Sequence, residues 1–285
     1  MLPRRLPMNY KLLHIFRNTP FGRETFLQSL YFCKTIDACP VVYIPKTDKF
    51  LMYFSNDVVQ VNLDSSFLAS PDTAHEHVIA LFDEAGIPPR FYEPKNFTAS
   101  TLPDISSQFD YMCSPRSITD LSSNIGLGHL GPKVRRMIKQ ATFPILIASP
   151  VFKAWKSISV FFGGSANAMN ALILGLKIAI VSGFPLKIYT VVENNTEDNY
   201  RDMVRESEFE NLVDQYVNEW CFYSSSEFDR MLYEVPHDAL VVLGAYGHGV
   251  IKEILLGSKM EQIQSTITNN LLVTGPNCRI SLSVE

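Results

Sequence analysis

The chain has 285 residues, of which 46% are hydrophobic and 19% are charged, and its formal net charge is −4. This composition supplies material for a sizeable core, excludes a disordered chain, and lacks the basic balance of proteins that bind nucleic acid non-specifically. No apolar run reaches the roughly 18 residues of a membrane span. We therefore expect no membrane span and no nucleic-acid partner.

Targeting and redox signals favour a cytoplasmic location. The basic N-terminus is interrupted by Pro7 and Asn9 and has no small-residue cleavage site, so no signal peptide is expected. The five cysteines are odd in number, scattered, and form no CxxC pair, which argues against a disulfide framework.

The length and the charge distribution both predict two domains. A chain of this length fits two domains of about 140 residues. Residues 1–150 carry 15 Lys and Arg against 13 Asp and Glu, a net of +2, whereas residues 151–285 carry 10 against 16, a net of −6. We therefore predict domains at 1–150 and 151–285, with a boundary near Pro150.

In the first half, apolar runs alternate with helical patterns, which favours βαβ units and a parallel sheet. The stretch 93–107 is rich in Pro, Ser, Thr and Asn and is predicted to be a surface loop. The predicted strands are 12–16, 41–44, 109–113 and 145–148, with 51–54 as a candidate additional strand, and the predicted helices are 24–35, 72–85 and 133–140.

The second half follows the same alternation more clearly, and its glycine-spaced loop lies between the fourth strand and the last helix. The predicted strands are 158–162, 186–192, 220–223, 239–243 and 271–273, and the predicted helices are 167–180, 196–216, 227–235 and 258–267. Strand 271–273 is expected to be an exposed edge through which two chains could pair.

The two halves end alike, which indicates a diverged tandem duplication. Gly131 and Gly257 each open a helical segment and are each followed, thirteen residues later, by an apolar strand, at an offset of 126. Near the start, Phe16-Arg17-Asn18 matches Phe161-Phe162-Gly163 at an offset of 145, so the first copy is 19 residues longer. The alternative is a pair of unrelated α/β domains with similar endings.

The most informative stretch lies after the fourth strand of the second half, where Gly244-x2-Gly247-x9-Gly257-Ser258 leads into a helix. Glycines at these points let the backbone turn sharply and approach a ligand closely. The free N–H groups at the start of the helix favour an anion such as phosphate. Such a site would lie at the carboxyl ends of parallel strands, where open α/β sheets place ligands.

This stretch resembles the ATP-binding signature of the universal stress protein family, Gly-x2-Gly-x9-Gly-(Ser/Thr), and both spacings match. The opening of the second half, a strand followed by Gly163-Gly164-Ser165 and a helix, also resembles the family. The second half is similar over its whole length, the first half in its pattern and its last 20 or so residues. The whole therefore resembles a tandem universal stress protein.

The resemblance implies two tandem five-stranded parallel-sheet domains of Rossmann-like fold with dimer-like pairing. It also implies an adenine nucleotide, ATP or AMP with or without Mg²⁺, and a role in stress response or signalling with a regulatory protein partner. Gly244, Gly247, Gly257 and Ser258 would contact the phosphates and ribose, and Val191 would lie against the adenine.

Three positions depart from the family pattern. Gly163 stands where binding members have an Asp that contacts the nucleoside, Tyr246 where an Arg is common, and Met260 where a second hydroxyl is frequent. Each lost polar contact would cost about 0.5–1.5 kcal/mol, so binding is expected to be weakened. Lys252 and Lys259 would partly compensate as charges near the phosphate.

Ser258 and His248 each have two interpretations. Ser258-x-x-Glu261 is also a capping box, in which the hydroxyl satisfies the helix rather than a phosphate. His248 could meet a phosphate or act as an acid or base, or it could be a solvent-exposed loop residue. The pair His75 and His77 is interpreted as part of a solvated helix start rather than as a metal site, because i and i+2 do not share a helix face.

The first copy is predicted not to bind nucleotide. At an offset of 126, Ile118 and Leu121 replace the first two glycines and Pro132 replaces Ser258, while Asn18 falls at the position of the Asp.

Three hypotheses remain open at this point: a nucleotide-binding regulatory protein, an interaction module of the same fold that has lost the nucleotide, and a slow ATPase using His248 or Lys259. No catalytic constellation can be argued from spacing, so we do not expect an enzyme beyond slow hydrolysis.

Overall fold

In the computed structural model, described for residues 10–54, 57–94, 102–116, 130–193, 195–246 and 266–280, twelve strands and seven helices are defined. The strands are β1 (Lys11–Ile15), β2 (Cys39–Tyr43), β3 (Lys49–Phe54), β4 (Asp57–Asn62), β5 (Asp104–Ile105), β6 (Tyr111–Ser114), β7 (Ile145–Ile147), β8 (Ser157–Phe161), β9 (Leu186–Val192), β10 (Val217–Ser224), β11 (Ala239–Gly244) and β12 (Leu271–Thr274). The helices are α1 (Pro20–Ile36), α2 (Pro71–Ala85), α3 (Pro132–Gln140), α4 (Ala166–Ser182), α5 (Glu197–Arg205), α6 (Glu210–Tyr216) and α7 (Phe228–Glu234).

One nine-stranded sheet runs through both halves in the order β10-β9-β8-β11-β12-β7-β6-β1-β2. Every neighbouring pair is parallel except β12 and β7, which are antiparallel. The predicted α/β fold class is confirmed. The expectation that strand 271–273 is an exposed edge is wrong, because β12 lies in the interior of the sheet with β11 on one side and β7 on the other.

Apart from its edge strand β10, the sheet is largely buried on both faces, as its nearly unbroken apolar strands require. Successive residues of β12 point to opposite faces, so Leu271 and Val273 join one core cluster and Leu272 joins the other. Helices α1 and α4 pack on the face of Leu272, and α3 and α7 pack on the opposite face. Each of the two core clusters contains side chains from both halves, so the halves are packed together on both faces of the sheet.

The first half departs from the expected five strands. Among the described residues it contributes β1, β2, β6 and β7 to the large sheet, and a single parallel bridge between Phe91 and Val42 lies where a fifth strand would run. The second half has the eight-residue β10 at its corresponding edge.

An additional three-stranded sheet, in the order β4-β3-β5, belongs to the first half. The sequence prediction included β3 only as an additional strand and missed β4. The prediction of a surface loop over 93–107 is wrong at Ile105, which is 0% exposed and lies in β5. This small sheet, with its β3–β4 hairpin between β2 and α2, accounts for much of the extra length of the first copy.

The second half matches the sequence prediction in the order and type of its described elements. The predicted helix 196–216 is divided into α5 and α6, which are separated by residues 206–209. The side chain of Thr196 caps α5 by accepting a hydrogen bond from the Asn199 N–H.

Strand registers define the equivalence of the two halves residue by residue. The N–H of Phe16 donates to the carbonyl of Tyr43, and the N–H of Phe162 donates to the carbonyl of Tyr189, so these positions are 146 residues apart. The helix caps Thr19 and Ser165 show the same offset.

The offset of 145 near the start of each copy is therefore wrong by one residue. Arg17, rather than Asn18, is the counterpart of Gly163, and Asn18 is the counterpart of Gly164. At the end of each copy, β7 and β12 keep the predicted offset of 126.

Candidate functional site

The sheet has one topological switch point in the second half, between β8 and β11. From β8 the chain proceeds outward to β9 and β10, and it then returns to place β11 on the other side of β8. Open α/β sheets bind ligands at such a switch point, at the carboxyl ends of the two strands. Gly163 and Gly244 lie at these two ends.

The turn after β8 is built by Gly164 and Ser165. Gly164 has φ +72°, a left-handed conformation that favours glycine. A Cβ atom at this position would lie 2.8 Å from the Sδ of Met203 and 3.2 Å from the ring of Tyr200, so α5 packs closely on the turn. The hydroxyl of Ser165 accepts the N–H of Ala168 at 3.1 Å and caps α4. This turn offers backbone groups to a ligand but no carboxylate.

Gly244 is required by the approach of α4. A Cβ atom there would overlap the backbone carbonyl of Asn167 in the first turn of that helix. The side chain of Asn167 donates to the carbonyl of Ala245 at 2.5 Å, and the hydroxyl of Thr274 donates to the carbonyl of Asn167 at 3.1 Å. The end of β11, where the glycine-spaced motif begins, is thus fixed against α4 and β12.

Val191 is the second-to-last residue of β9 and is half-buried. Its carbonyl accepts a hydrogen bond from the hydroxyl of Tyr200 at 3.4 Å. A ligand that used this carbonyl would have to share it with Tyr200, which is 4% exposed.

Tyr246, within the glycine-spaced motif, has an unusual backbone conformation. It has φ +60°, which is uncommon for a non-glycine residue. Its hydroxyl donates to the carbonyl of Arg135 in α3 at 3.0 Å. Burial raises the pKa of this phenol above its usual value, so the hydroxyl stays protonated and remains a donor at neutral pH.

Several predicted site residues fall outside the described residues, namely Gly247, His248, Gly257, Ser258 and Lys259, together with Lys252 and Met260. The two interpretations of Ser258, phosphate contact and helix capping, therefore both stay predictions. The described residues bring together Gly163, Gly244 and Tyr246 near the ends of neighbouring strands.

In the first half, a charged side chain stands at the position that corresponds to Gly163. Arg17 replaces Gly163 and extends its guanidinium to Asp64 at 3.5 Å and over the ring of Phe67 at 5.2 Å. Asp64 and Phe67 lie at the segment after β4 and are 8% and 4% exposed. By strand register, Pro115 is the counterpart of Gly244. The prediction that this copy lacks the ligand-binding glycines is retained, with these corrected positions.

Asn18 and the two histidines of α2 have partners of other kinds. The amide of Asn18 donates to the Ser70 carbonyl at 2.9 Å, and its oxygen lies 2.8 Å from Nδ1 of His77. His75 stacks on Phe91 with ring centroids 4.3 Å apart. Among the described residues, no group of three or more His, Cys, Asp or Glu side chains is arranged to hold a metal ion.

Sequence reasoning missed a groove of about 410 Å³ at the outer edge of the sheet, between α5, α6 and the start of β10. Arg201 lies over the rings of Trp220 and Phe222 at 5.3 and 4.9 Å. The alternation of aromatic residues in β10 signals a partly exposed edge strand, but the contact with Arg201 depends on how α5 folds back.

Comparisons with known proteins agree with this geometry. The chain is 22% identical over 174 residues to the universal stress protein Slr1230 of Synechocystis, and the match covers 59% of this chain and 58% of that relative, less than two thirds of its length. The structure of a universal stress protein from Archaeoglobus fulgidus has a TM-score of 0.59 at 14% identity and covers 94% of this chain and 99% of that one.

A protein of Pseudomonas aeruginosa UCBPP-PA14 assigned to the universal stress proteins has a TM-score of 0.52 at 12% identity, with 95% of each chain covered. No family model matches the chain. Together, the fold and these comparisons show that the chain is similar to universal stress proteins and has a UspA-like α/β fold. None of the helices in the described ranges has the length and apolar character needed to cross a bilayer.

Proposed function

We propose that this chain is a stress-related regulatory protein whose second half binds an adenine nucleotide, ATP or AMP. The observation that carries the proposal is the switch point between β8 and β11, where both strands lead into glycines, Gly163 and Gly244. A switch point of this kind, beside the N-terminus of α4 and followed by the Gly-x2-Gly-x9-Gly-Ser spacing, is suited to a phosphorylated nucleoside.

The proposed contacts fall into two groups. The backbone of the motif, from Gly244 through Gly247 to Gly257 and Ser258, would meet the phosphates, and Lys259 and His248 are the proposed charged or polar additions. Gly163 and Val191 would lie against the nucleoside. A bound Mg²⁺ would have to be held largely by phosphate oxygens and water, since the described ends of β8 and β11 provide no carboxylate.

The first test is to identify any small molecule that copurifies with the protein. Denatured protein would be analysed by mass spectrometry, and titration calorimetry would measure the affinity for ATP and AMP. Near-stoichiometric adenine nucleotide would support the proposal, and its loss on Gly247→Val would assign it to the second half.

A matched control exists in the first half, because Gly131 is the counterpart of Gly257 at the offset of 126. Gly131 has φ −61°, a backbone value that residues with a side chain also adopt. We expect Gly257→Val to abolish binding and Gly131→Val to leave it intact. Absence of nucleotide and of any heat of binding at millimolar ATP would refute the proposal.

The second candidate is a protein-interaction module of the same fold without nucleotide. The specific observations that favour it are the engagement of the Val191 carbonyl by Tyr200 and the absence of a carboxylate at Gly163. Under this alternative, the titration gives no heat, and a regulatory protein partner becomes the subject of the search. A homodimer, which the sequence also suggested, would have to use a surface other than β12.

A further inference from the structure

Tyr246 joins the proposed ligand site of the second half to a helix of the first half. It occupies the third position of Gly244-x2-Gly247, and its hydroxyl donates to the Arg135 carbonyl within α3. The ring is packed against the core cluster that contains Met137 and Ile138 of the same helix. The contact therefore combines a directed polar bond with apolar packing.

The backbone of Tyr246 needs such a contact. The left-handed conformation is unfavourable for a residue with a Cβ atom, and it persists where the surroundings enforce it. The two preceding residues are already fixed, Gly244 by α4 and Ala245 by the carbonyl of Thr274 at 2.8 Å. The side chain of Tyr246 holds the third residue of the turn in place through its contacts with α3.

Helix α3 is itself held in place by the hairpin of the first half. Arg136 forms a two-pronged ion pair with Asp57 of β4, with Nη2–Oδ1 3.0 Å and Nε–Oδ2 3.1 Å. Lys133 donates to the carbonyl of Gln60 at 3.1 Å. The element that Tyr246 uses as its support is thus a fixed part of the first half rather than an isolated helix.

The link is reciprocal across the two halves. By strand register Arg116, after β6, is the counterpart of Ala245, one residue before Tyr246. Its guanidinium reaches the carbonyl of Ile267, which precedes β12, at 3.5 Å. The segments that follow β6 and β11 thus each contact a backbone carbonyl of the other half.

We infer that Tyr246 is a positioning residue for the second-half ligand site, which holds the turn after β11 in its left-handed form by anchoring it to α3 of the first half. This inference rests on the proposed function. The first half then has a defined role in this site, because it preorganises the turn that the nucleotide meets. By thermodynamic linkage, a ligand that requires this turn also stabilises α3.

The test compares Tyr246→Phe, Tyr246→Ala and Tyr246→Gly, with Tyr233→Phe as the control for loss of an exposed hydroxyl, since Tyr233 is 77% exposed. Titration calorimetry with ATP would measure affinity. We expect Tyr246→Phe to raise Kd about three- to tenfold, in line with the loss of one hydrogen bond. Tyr246→Gly should bind more tightly than Tyr246→Ala, because glycine adopts positive φ without a penalty.

Hydrogen exchange adds a readout that a purely structural role would not change. In the wild type, saturating ATP should slow exchange of amides in residues 132–140, and in Tyr246→Phe the same saturation should slow them less. If the wild type binds ATP and Tyr246→Phe matches it in both affinity and exchange, the inference is overturned while the proposed function stands. If the wild type binds no nucleotide, the proposed function fails and the inference fails with it.

Discussion

Leu146 and Leu272 lie opposite each other at the centre of the antiparallel pairing between β7 and β12. They are also equivalent positions of the two copies, 126 residues apart. The flanking pairs, Ile147 with Leu271 and Ile145 with Val273, exchange roles under the same offset. The two halves are therefore related by an approximate two-fold axis that passes between these leucines.

This symmetry predicts matched effects of core truncation. Leu146→Ala and Leu272→Ala should each lower the free energy of unfolding by about 2–5 kcal/mol, because both side chains are at most 1% exposed. Urea denaturation would measure the change, with Val151→Ala as a control at a 63% exposed site. If Leu272→Ala had the unfolding free energy of the wild type but a different oligomeric mass in analytical ultracentrifugation, the pairing of β7 with β12 within one chain would be contradicted.

A second prediction concerns the buried amides that cross between the halves. Asn270 donates to Oε1 of Gln28 at 2.9 Å and accepts the N–H of Ser149 at 2.8 Å. Asn270→Ala leaves both partners buried without that bond and should cost about 1–3 kcal/mol of unfolding free energy.

A double-mutant cycle with Gln28→Ala would isolate the side-chain pair, and we expect a coupling energy of about 1 kcal/mol. Strictly additive single-mutant effects would show that the Gln28–Asn270 bond contributes nothing net.

The third prediction concerns the close packing of Gly244 against α4. Gly244→Ala should destabilise the protein by about 2–4 kcal/mol, because the new methyl group would overlap the backbone of α4. Gly183→Ala is the comparison, since Gly183 has φ +71° and open space around it, and it should cost about 1 kcal/mol. Equal unfolding free energies for the two variants would show that α4 can move away from β11.

The fourth prediction concerns pH and His14, which is 2% exposed. Burial lowers the pKa of its imidazole from 6.5 to about 3, while Nδ1 is hydrogen-bonded to the Ser29 hydroxyl at 2.8 Å. Because the unfolded state binds a proton at higher pH than the folded state, stability is complete above about pH 6.5. It is then lost progressively as the pH falls towards 3.

Each unit of pH below 6.5 should therefore remove about 1.4 kcal/mol of unfolding free energy through this group. His14→Asn should flatten the profile between pH 6 and 4, as followed by urea denaturation at each pH. A variant with the same slope as the wild type would assign the acid sensitivity to other groups.

The sequence was sufficient for the fold class because most strands are continuous apolar runs separated by helical periodicity. The β4 strand was missed because its alternation is short and half polar, although Lys49–Phe54 and Asp57–Asn62 are separated by only two residues, as in a tight hairpin. The interior position of β12 could not be predicted, because the local sequence pattern of a strand does not reveal which strands of the other half pair with it.

The spacing of the glycines predicts a ligand site after β11, and the residues of that motif beyond Tyr246 lie outside the described ranges. The strand order places a switch point between β8 and β11. The one-residue error at Asn18 came from the consecutive Phe161 and Phe162, either of which matches Phe16 by residue type. The contact of Tyr246 with α3 was beyond sequence reasoning, because it joins residues 111 positions apart across the two halves.

Because β7 and β12 belong to one chain, their pairing does not depend on protein concentration. Two separate chains that shared this sheet would dissociate on dilution, and their folding would depend on expression level. Here both strands belong to one polypeptide, so the nine-stranded sheet assembles by a unimolecular step at an effective concentration set by the intervening chain. The thermal midpoint should therefore be the same at nanomolar and at micromolar protein.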